Sequence, residues 1–446
     1  YENYIRSIET PSYKPKSFPI ISKRSSNQYA KLNTKYFILV DETIKLKINT
    51  GVQRLVRELS LSLTKRLEDI IFIKWNKELD FFTLINEEDY KSLINYYKID
   101  SQLIIPSIYK KKLSYSEVKV LLRNQNLIVP EVPYMHHKDQ SLSIKVIEVA
   151  KKYNMFSTFV FYDATPLHQK VLKGISTMHA FYMKALLLSD NVVSISDTAK
   201  NDLNNYWEKI EKSPRKFNPT ITTIHLGVKA KIREYDNYNN LNNKIILSVG
   251  TIEKWKNQRL LIEAFKQYLE NNINSEWKLY LVGNISTEEQ VYLNAYLNEL
   301  QDNIQYLGRV DEDELDKLYK ECTFTVFPST MEGFGLPIIE SLSYGKPCIC
   351  ANFGSMSEIA SDKVTYQVDT TNIDVLKDSI ESLIDDDQLF SSYYNAIQTY
   401  KLKSWDNYTD ELLENIKIQN DKNNSIFKFI TKFKVVFSII PSLFKK

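Results

Sequence analysis

The chain lacks several features that identify whole classes of protein. Its 446 residues include only three cysteines, Cys322, Cys348 and Cys350, which are too few for a disulfide framework and form no CxxC pair. All three lie in apolar, strand-like runs, which favours buried free thiols and a reducing cytoplasm over secretion. The formal net charge is only +3, so the chain lacks the general basic field that would indicate nucleic-acid binding.

Long apolar runs are also missing. Residues 1–34 form a polar arm punctuated by prolines, without the continuous apolar core of a signal peptide. In residues 421–446 lysines interrupt the apolar run, whereas a membrane-spanning helix needs about 20 apolar residues. On a helix, Lys428 and Lys432 would lie opposite an apolar face. This pattern predicts a basic amphipathic tail on an anionic membrane surface, with a terminal helix packed on the protein itself as the alternative.

The chain does contain short β-branched runs that alternate with amphipathic helices, a pattern typical of parallel sheets covered on both faces. Its length exceeds that of one ordinary core. We therefore predict an α/β protein with two facing Rossmann-like, doubly wound domains and a cleft outside the carboxyl ends of their strands. The predicted segments are the arm (1–34), a first domain (35–228), a linker (229–243), a second domain (244–402), a helix returning to the first domain (403–420) and the tail (421–446).

The run FPSTMEGFGLPIIESLSYGKP is the strongest functional signal. A strand leads into a loop with Gly333 and Gly335, and Pro337 then opens a helix. Glycines allow a ligand to approach the backbone, and a helix N-terminus offers unpaired amides, which together suit a diphosphate. Glu332 and Glu340 flank this site, and carboxylates accept hydrogen bonds from sugar hydroxyls. Two solvated glutamates around a structural turn are the alternative, which the combined pattern disfavours.

This segment resembles the EGFGLPxxEAxxxGxP signature of the family 4 glycosyltransferases, which have the GT-B fold and transfer sugars with retention of configuration. The run LSVGTIE, followed by Lys256, resembles the phosphate-binding strand and helix start of that family, and YLGRV resembles its base-binding turn. The resemblance implies a hexosyltransferase with a nucleotide-diphosphate sugar as donor. The implied donor-binding residues are Gly250, Thr251, Lys256, Val310, Gly333, Phe334, Gly335, Leu336 and Glu340.

The resemblance also implies individual roles. Glu340 would hold the ribose hydroxyls and Lys256 would neutralise the diphosphate. Glu332 and the amides of residues 334–336 would hold the sugar and phosphate. Many members have an arginine after the strand glycine, where this chain has Thr251, so the second phosphate contact stays open. Lys254 is one candidate for it, and a lysine that faces solvent is the alternative.

The first half resembles the family more weakly. Gly51 with Arg54 resembles a glycine-containing loop beneath the acceptor and near the phosphates. Asp163, in the run FYDATPLH, resembles a strand-end residue where donor sugar and acceptor meet. Glu332, Lys256 and Asp163 are therefore the predicted catalytic residues.

No metal and no cofactor are predicted. The run Asp311-Glu312-Asp313 has the form of a metal-binding D-x-D motif, but it precedes a helix whose dipole it complements. Lysine and helix dipole would then neutralise the diphosphate.

The tail favours a lipid-linked acceptor. The Gly-Thr-Ile-Glu loop resembles that of bacterial mannosyl- and rhamnosyl-type enzymes, and this resemblance implies GDP-mannose as the leading choice of donor. The predicted function is transfer of a hexose, with mannose the leading choice, to a growing surface glycan such as a lipopolysaccharide O-antigen. The predicted location is the cytoplasm, peripheral on the inner face of the membrane. The alternatives are a glycogen-synthase-like enzyme acting on a soluble glucan and a non-catalytic GT-B subunit that binds a glycan or a partner.

Overall fold

The computed structural model describes residues 34–46, 49–96, 103–134, 138–168, 173–210, 219–229, 243–299, 302–359 and 361–443. These residues form two compact units. The first contains the described residues up to Ile195, Lys200–Ile224 and those from Asp406 onward, and the second contains Ser196–Ala199 and His225–Trp405. The predicted arm and linker lie almost wholly outside the described residues, as do the tail side chains from residue 425 onward.

The first unit is built on a seven-stranded sheet in the order β3-β2-β1-β4-β5-β6-β7. All neighbours are parallel except β2 and β3. The middle strands β4, β5 and β6 are buried along their whole length, which explains their continuous apolar runs. The strands are β1 (Tyr36–Leu39), β2 (Ile70–Asn76), β3 (Phe81–Leu84), β4 (Asn126–Val129), β5 (Phe156–Phe161), β6 (Asn191–Ser194) and β7 (Thr220–Thr223).

Amphipathic helices cover this sheet, beginning with α1, which directly follows the loop after β1. The helices from α1 to α7 are α1 (Gly51–Arg66), α2 (Glu87–Ile94), α3 (Tyr115–Leu121), α4 (Leu142–Lys152), α5 (Thr165–His168), α6 (Lys173–Ala185) and α7 (Asp197–Ile210).

The second unit is built on a six-stranded, wholly parallel sheet in the order β10-β9-β8-β11-β12-β13. Its core includes Phe265, Leu279 and Phe324, all fully buried. The strands are β8 (Ile245–Val249), β9 (Lys278–Val282), β10 (Ile304–Gly308), β11 (Phe324–Phe327), β12 (Cys348–Ala351) and β13 (Tyr366–Val368). The helices are α8 (Gln258–Asn271), α9 (Thr287–Glu299), α10 (Glu312–Glu321), α11 (Leu336–Ser343), α12 (Gly354–Ile359), α13 (Ile373–Asp385) and α14 (Asp387–Thr399).

The last helix, α15 (Trp405–Leu443), runs through the predicted boundary at residue 420 without a break. Its first turns belong to the first unit, where the Ser62 hydroxyl donates to Asp406 Oδ1 at 2.6 Å and Asn191 Nδ2 donates to Asn415 Oδ1 at 2.8 Å. In the part of the chain that the structure describes, no helix combines the length and apolar character needed to cross a membrane.

The first unit ends before the predicted boundary at residue 228. His225–Val228 belong to the second unit, because Val228 pairs with Ser404 and its amide donates to the Lys403 carbonyl at 2.9 Å.

Candidate functional site

Three neighbouring strands of the second sheet lead into glycines in the positive-φ region. These are Gly250 after β8, Gly283 after β9 and Gly308 at the end of β10, with φ of 151°, 142° and 66°. A Cβ added to Gly283 would lie 2.1 Å from the Gly250 carbonyl oxygen. Glycine at these positions therefore lets neighbouring backbone segments pack closely where the strands end, with the Gly283 amide donating to the Gly308 carbonyl at 2.8 Å. We had predicted only Gly250 as a site residue, although each of the three runs SVG, LVG and YLG shows a glycine where a strand ends.

The start of α11 presents uncapped backbone. Gly335 precedes it with φ of 111°, no side chain caps the helix, and Pro337 stands in its first turn as predicted. A Cβ on Gly335 would lie 3.1 Å from Ile359 Cδ1, so both backbone conformation and space favour glycine. Amides left without a cap at the positive end of a helix dipole form a binding site for anions.

The loop before α11 is fixed from both sides. Phe334 is buried and its ring lies 5.9 Å from that of His225. The Gly333 carbonyl accepts a hydrogen bond from the Ser196 hydroxyl at 2.7 Å, and the Glu332 carbonyl accepts one from the Ser355 hydroxyl at 2.8 Å. These contacts hold the loop in place beside the start of the helix.

Lys256 and Glu332, which are far apart in the sequence, form an ion pair. Lys256 Nζ lies 2.5 Å from Glu332 Oε1, and the two side chains are only 20% and 13% exposed. Lys256 closes the single 3₁₀ turn of residues 254–256, and the Thr330 amide donates to the Trp255 carbonyl at 2.7 Å. The structure thus brings together two of the predicted catalytic residues. Lys254, by contrast, is exposed.

Glu253 is an acidic neighbour that we had not predicted. Among the described residues, its Oε2 atom is buried without a hydrogen-bond partner. Burial raises the pKa of Glu253, Lys256 opposes this shift, and the carboxylate of Glu332 adds to it. Lys256 therefore acts on two carboxylates at once. The signal in the sequence was the Gly-Thr-Ile-Glu run that ends at Glu253, which resembled a family loop without giving the glutamate a role.

Glu340 and Val310 lie against one aromatic pair. The Tyr319 hydroxyl donates to Glu340 Oε2 at 3.1 Å, and the Tyr319 and Tyr344 rings stack with centroids 4.9 Å apart. Val310 packs in the same cluster. Tyr319 fixes the direction of the Glu340 carboxylate and was not predicted as a site residue.

Thr251 has an ordinary backbone role. Its carbonyl accepts a hydrogen bond from Gln258 Nε2 at 3.2 Å, which ties the loop after β8 to the first residue of α8. The structure shows no contact that would assign the second phosphate contact to this threonine.

In the first unit, Asp163 lies just after β5, and its Oδ1 atom accepts a hydrogen bond from the Thr165 amide at 2.8 Å. The buried His179 places Nε2 at 2.8 Å from the Asp163 carbonyl oxygen and Nδ1 at 2.8 Å from the Tyr134 hydroxyl. Because a carbonyl can only accept, Nε2 carries the proton and Nδ1 accepts from tyrosine. Burial lowers the pKa of His179, which favours this neutral form. Neither His179 nor Tyr134 was predicted.

Gly51 opens α1, and the Arg54 amide donates to the Thr50 carbonyl at 2.8 Å within the first turn. The buried Arg57 holds the loop before this helix by donating to the Leu46 carbonyl at 2.7 Å and to Asn49 Oδ1 at 2.8 Å. Sequence reasoning had chosen Arg54 and missed Arg57.

The same loop is held at its start by Glu131, which follows β4. The Glu131 carboxylate accepts hydrogen bonds from the amides of Glu42 and Thr43 at 2.9 and 2.6 Å. It is 1% exposed, and burial raises the pKa of Glu131 to about 8, against the opposing effect of the two amides. A carboxyl with this pKa changes charge near neutral pH.

One group among the described residues has the composition of a metal site. Ligand atoms of Asp197, His225 and Glu358 all lie within 4.8 Å of one another. Both oxygens of Glu358 already accept backbone hydrogen bonds, at 2.7 Å from the Asp197 amide and 2.8 Å from the Thr198 amide. The carboxylate thus has a structural role in capping the start of α7.

Part of the second unit matches a protein-family model. Residues 231–401 match the model of the family described as "Glycosyl transferases group 1". This match covers less than half of the chain and confirms the predicted resemblance for that segment.

Two curated relatives are similar to part of the chain. The chain is 32% identical over 174 residues to an O-antigen chain mannosyltransferase B of Escherichia coli, which covers 39% of this chain and 45% of that protein. It is 29% identical over 170 residues to the Campylobacter jejuni enzyme named N-acetylgalactosamine-N,N'-diacetylbacillosaminyl-diphospho-undecaprenol 4-alpha-N-acetylgalactosaminyltransferase, which covers 37% and 44%. The chain thus spans less than half the length of either protein.

Among solved structures, the Anabaena protein HepE in complex with UDP superposes with a TM-score of 0.61 at 14% identity, over 86% of this chain and 100% of that one. This likeness concerns the fold. Together with the two parallel sheets, it confirms the predicted fold class, a two-domain α/β protein of GT-B type.

Proposed function

We propose that the whole chain is a retaining glycosyltransferase that moves a hexose from a nucleotide-diphosphate sugar to a glycan. The observation that carries this proposal is the Lys256–Glu332 ion pair, 2.5 Å long, which accompanies the uncapped start of α11. A cation, a helix dipole and a carboxylate form a suitable set for a diphosphate bearing a sugar.

In the proposed reaction, Lys256 and the amides at the start of α11 bind the diphosphate. Lys256 must then share its charge between the phosphate and Glu332, which leaves the Glu332 carboxylate able to accept from a sugar hydroxyl. Glu340, directed by Tyr319 at 3.1 Å, binds the ribose. Asp163 orients the reactants.

The bond between the anomeric carbon and the diphosphate oxygen breaks, and the acceptor oxygen bonds to that carbon on the same face. The acceptor proton passes to the leaving diphosphate. The positive end of the helix and Lys256 stabilise the charge that develops there, as preorganised groups do in other transfer reactions. No resident metal takes part in this proposal.

For the donor we propose GDP-mannose, and for the acceptor a lipid-linked surface glycan. The similarity to the E. coli O-antigen chain mannosyltransferase supports the sugar and the pathway. The Campylobacter relative, whose name includes diphospho-undecaprenol, supports a lipid-linked acceptor. We place the enzyme in the cytoplasm, held on the inner face of the membrane by residues 421–446.

The test incubates purified protein with GDP-mannose, UDP-glucose and other nucleotide sugars, with nucleotide release and glycolipid product as readouts. We expect one donor, GDP-mannose first, to support transfer to an isoprenoid-linked acceptor. Transfer to a soluble glucan instead would favour the glycogen-synthase-like alternative. The absence of both nucleotide binding and release would favour a non-catalytic subunit.

The membrane proposal has a separate test. Wild-type protein should co-sediment with vesicles containing anionic phospholipid, and a variant without residues 421–446 should remain in the supernatant. Equal sedimentation of the two proteins would refute the role of the tail.

A further inference from the structure

The second unit contains a cavity of about 720 Å³ at the edge of the sheet opposite the glycines. Lys244, Trp277 and Thr323 line it, and each of them immediately precedes a strand, namely β8, β9 and β11. The glycines, by contrast, follow the carboxyl ends of β8 and β9. The length of a strand such as β8, five residues or about 16 Å, therefore separates the cavity from the glycines. The volume lies within the range of about 300–1,000 Å³ that is usual for ligand pockets.

From this cavity we infer a second ligand site that binds a neutral carbohydrate. Its apolar part is aromatic. Tyr268 and Phe390 are 4% and 3% exposed and line it, and Trp277 is half-buried against the Phe324 ring at 5.7 Å. Ile273, 89% exposed, stands at the same cavity. Tyr268 and Phe390 belong to the buried core and form the floor of the cavity, whereas Trp277 is only partly buried and keeps ring surface accessible. The C–H face of a pyranose ring packs against an accessible aromatic ring of this kind.

The polar part of the lining selects the kind of ligand. Lys244 Nζ and Glu276 Oε2 pair at 2.6 Å and largely neutralise each other. The carboxylates of Asp385 and Asp387 then leave the lining with a net negative charge. Phosphates, sulfates and nucleotides are repelled by such a lining, whereas sugar hydroxyls donate hydrogen bonds to carboxylates.

Amide groups complete the set. Asn272 and Asn274 line the cavity, and a side-chain amide can donate to one hydroxyl and accept from another. Ser275 also lines the cavity, and its hydroxyl, 3.4 Å from that of Tyr268, adds a group that can donate or accept a hydrogen bond. Aromatic surface with carboxylate, amide and hydroxyl groups is a combination suited to a neutral polyhydroxylated ligand.

A glycan in this cavity does not react, because the donor region lies at the other end of the strands. The site would instead hold a distant part of the glycan that the enzyme extends and raise its local concentration. The identity of the ligand as that glycan rests on the proposed function, whereas the chemical class of the ligand rests on the lining alone.

The test uses the full-length protein with α-linked mannotriose and maltotriose as probes. Saturation-transfer NMR and calorimetry should detect binding in the millimolar range, and an excess of GDP or UDP should not displace the probe. Trp277→Ala should raise the Kd at least about fivefold, as loss of an aromatic anchor does. The matched control is Val291→Ala, an exposed apolar residue of α9 that does not line the cavity.

Because Trp277 also packs against Phe324, its loss could weaken binding through the fold. The double variant Asn274→Ala with Asp385→Asn changes only the polar lining. It should weaken binding while its unfolding temperature stays near that of the wild type. Absence of binding to both probes would overturn the inference, as would wild-type affinity in both variants or displacement by the nucleotides. Probe binding through Trp277 without any nucleotide binding would instead overturn the proposed function and leave this site standing.

Discussion

The carboxyl edge of the second sheet is formed by glycine backbone and a few paired charges, whereas that of the first sheet is built from buried polar side chains. In the second unit the amides of Gly250 and Gly283 donate to the carbonyls of Val282 and Gly308, both at 2.8 Å, and the start of α11 has no side-chain cap. In the first unit Glu131 and His179 are almost fully buried and hold neighbouring loops. In the proposed function the edge of the second sheet meets the phosphorylated donor, whereas the buried side chains at the edge of the first sheet hold loops in fixed positions.

The prediction with the largest expected effect compares one substitution at the carboxyl edge of each sheet. Glu340→Ala in the second unit should lower transfer by at least about 1,000-fold and abolish donor binding, because the ribose loses its carboxylate partner. Asp163→Asn in the first unit should reduce transfer while donor affinity stays unchanged. Calorimetric titration of the nucleotide and a transfer assay on both variants measure this. Full activity in Glu340→Ala, or an equal loss of donor binding in the two variants, would contradict the different roles assigned to the two edges.

A second prediction compares one glycine in each unit. Gly283→Ala should lower the free energy of unfolding by more than about 2 kcal/mol, since its Cβ would meet the Gly250 carbonyl at 2.1 Å and its φ is 142°. Gly174→Ala in α6, where nothing lies within 4 Å, should leave stability unchanged or raise it by up to about 1 kcal/mol. Urea denaturation of both variants gives the two values. Similar free energies of unfolding for the two variants would show that the backbone at Gly283 does not require glycine.

A third prediction concerns the buried carboxyl of the first unit. The pKa of Glu131 in the folded protein is about 8, against an ordinary value of 4.5. A raised pKa means that the folded state binds the proton more tightly, so the stability from Glu131 is complete below about pH 4.5 and is lost as the pH rises through 8. The advantage of wild type over Glu131→Gln should therefore shrink between pH 5.5 and 8.5.

Denaturation at these two pH values, with Glu117→Gln as a control at an exposed carboxylate whose pKa is lowered, measures the change. An advantage that grows with pH would show that Glu131 is charged throughout and that the amides of Glu42 and Thr43 dominate its pKa.

The smallest expected effect is that of metal removal. Because Lys256 and the helix supply the positive charge in the proposed reaction, EDTA should change the transfer rate by less than about twofold. The same is expected for Asp197→Asn, because Glu358 holds the start of α7 through the backbone amides of Asp197 and Thr198. Loss of activity in EDTA that Mn²⁺ or Mg²⁺ restores would give the group of Asp197, His225 and Glu358 a catalytic role.

The two edges also differed in how well the sequence predicted them. The glycine loop, Pro337 and the two glutamates are contiguous, and local rules of turns and helix starts were enough to predict a strand, a loop and a helix there. Lys256 followed from the resemblance, and its ion pair with Glu332 is a tertiary contact that no local pattern contains. Gly283 could have been found from the repeated glycine at strand ends.

Tyr319, Glu253, His179 and Glu131 could not be found in this way. Each acquires its role through burial or through a partner that is distant in the sequence, such as the amides of Glu42 and Thr43 for Glu131. A single glutamate or histidine carries no sign of these surroundings. Two of these residues, Glu131 and His179, lie in the first unit, and the other two lie in the second.

The most direct test of the account is a calorimetric titration of the full chain with GDP and UDP in the presence of EDTA. Lys256→Ala and its exposed neighbour Lys254→Ala are measured alongside. We predict micromolar binding of one nucleotide by the wild type and by Lys254→Ala, and at least about 100-fold weaker binding by Lys256→Ala, as expected for loss of a partly buried cation from a phosphate site. Wild-type affinity in Lys256→Ala, or no binding of either nucleotide, would contradict the donor site proposed for the second unit.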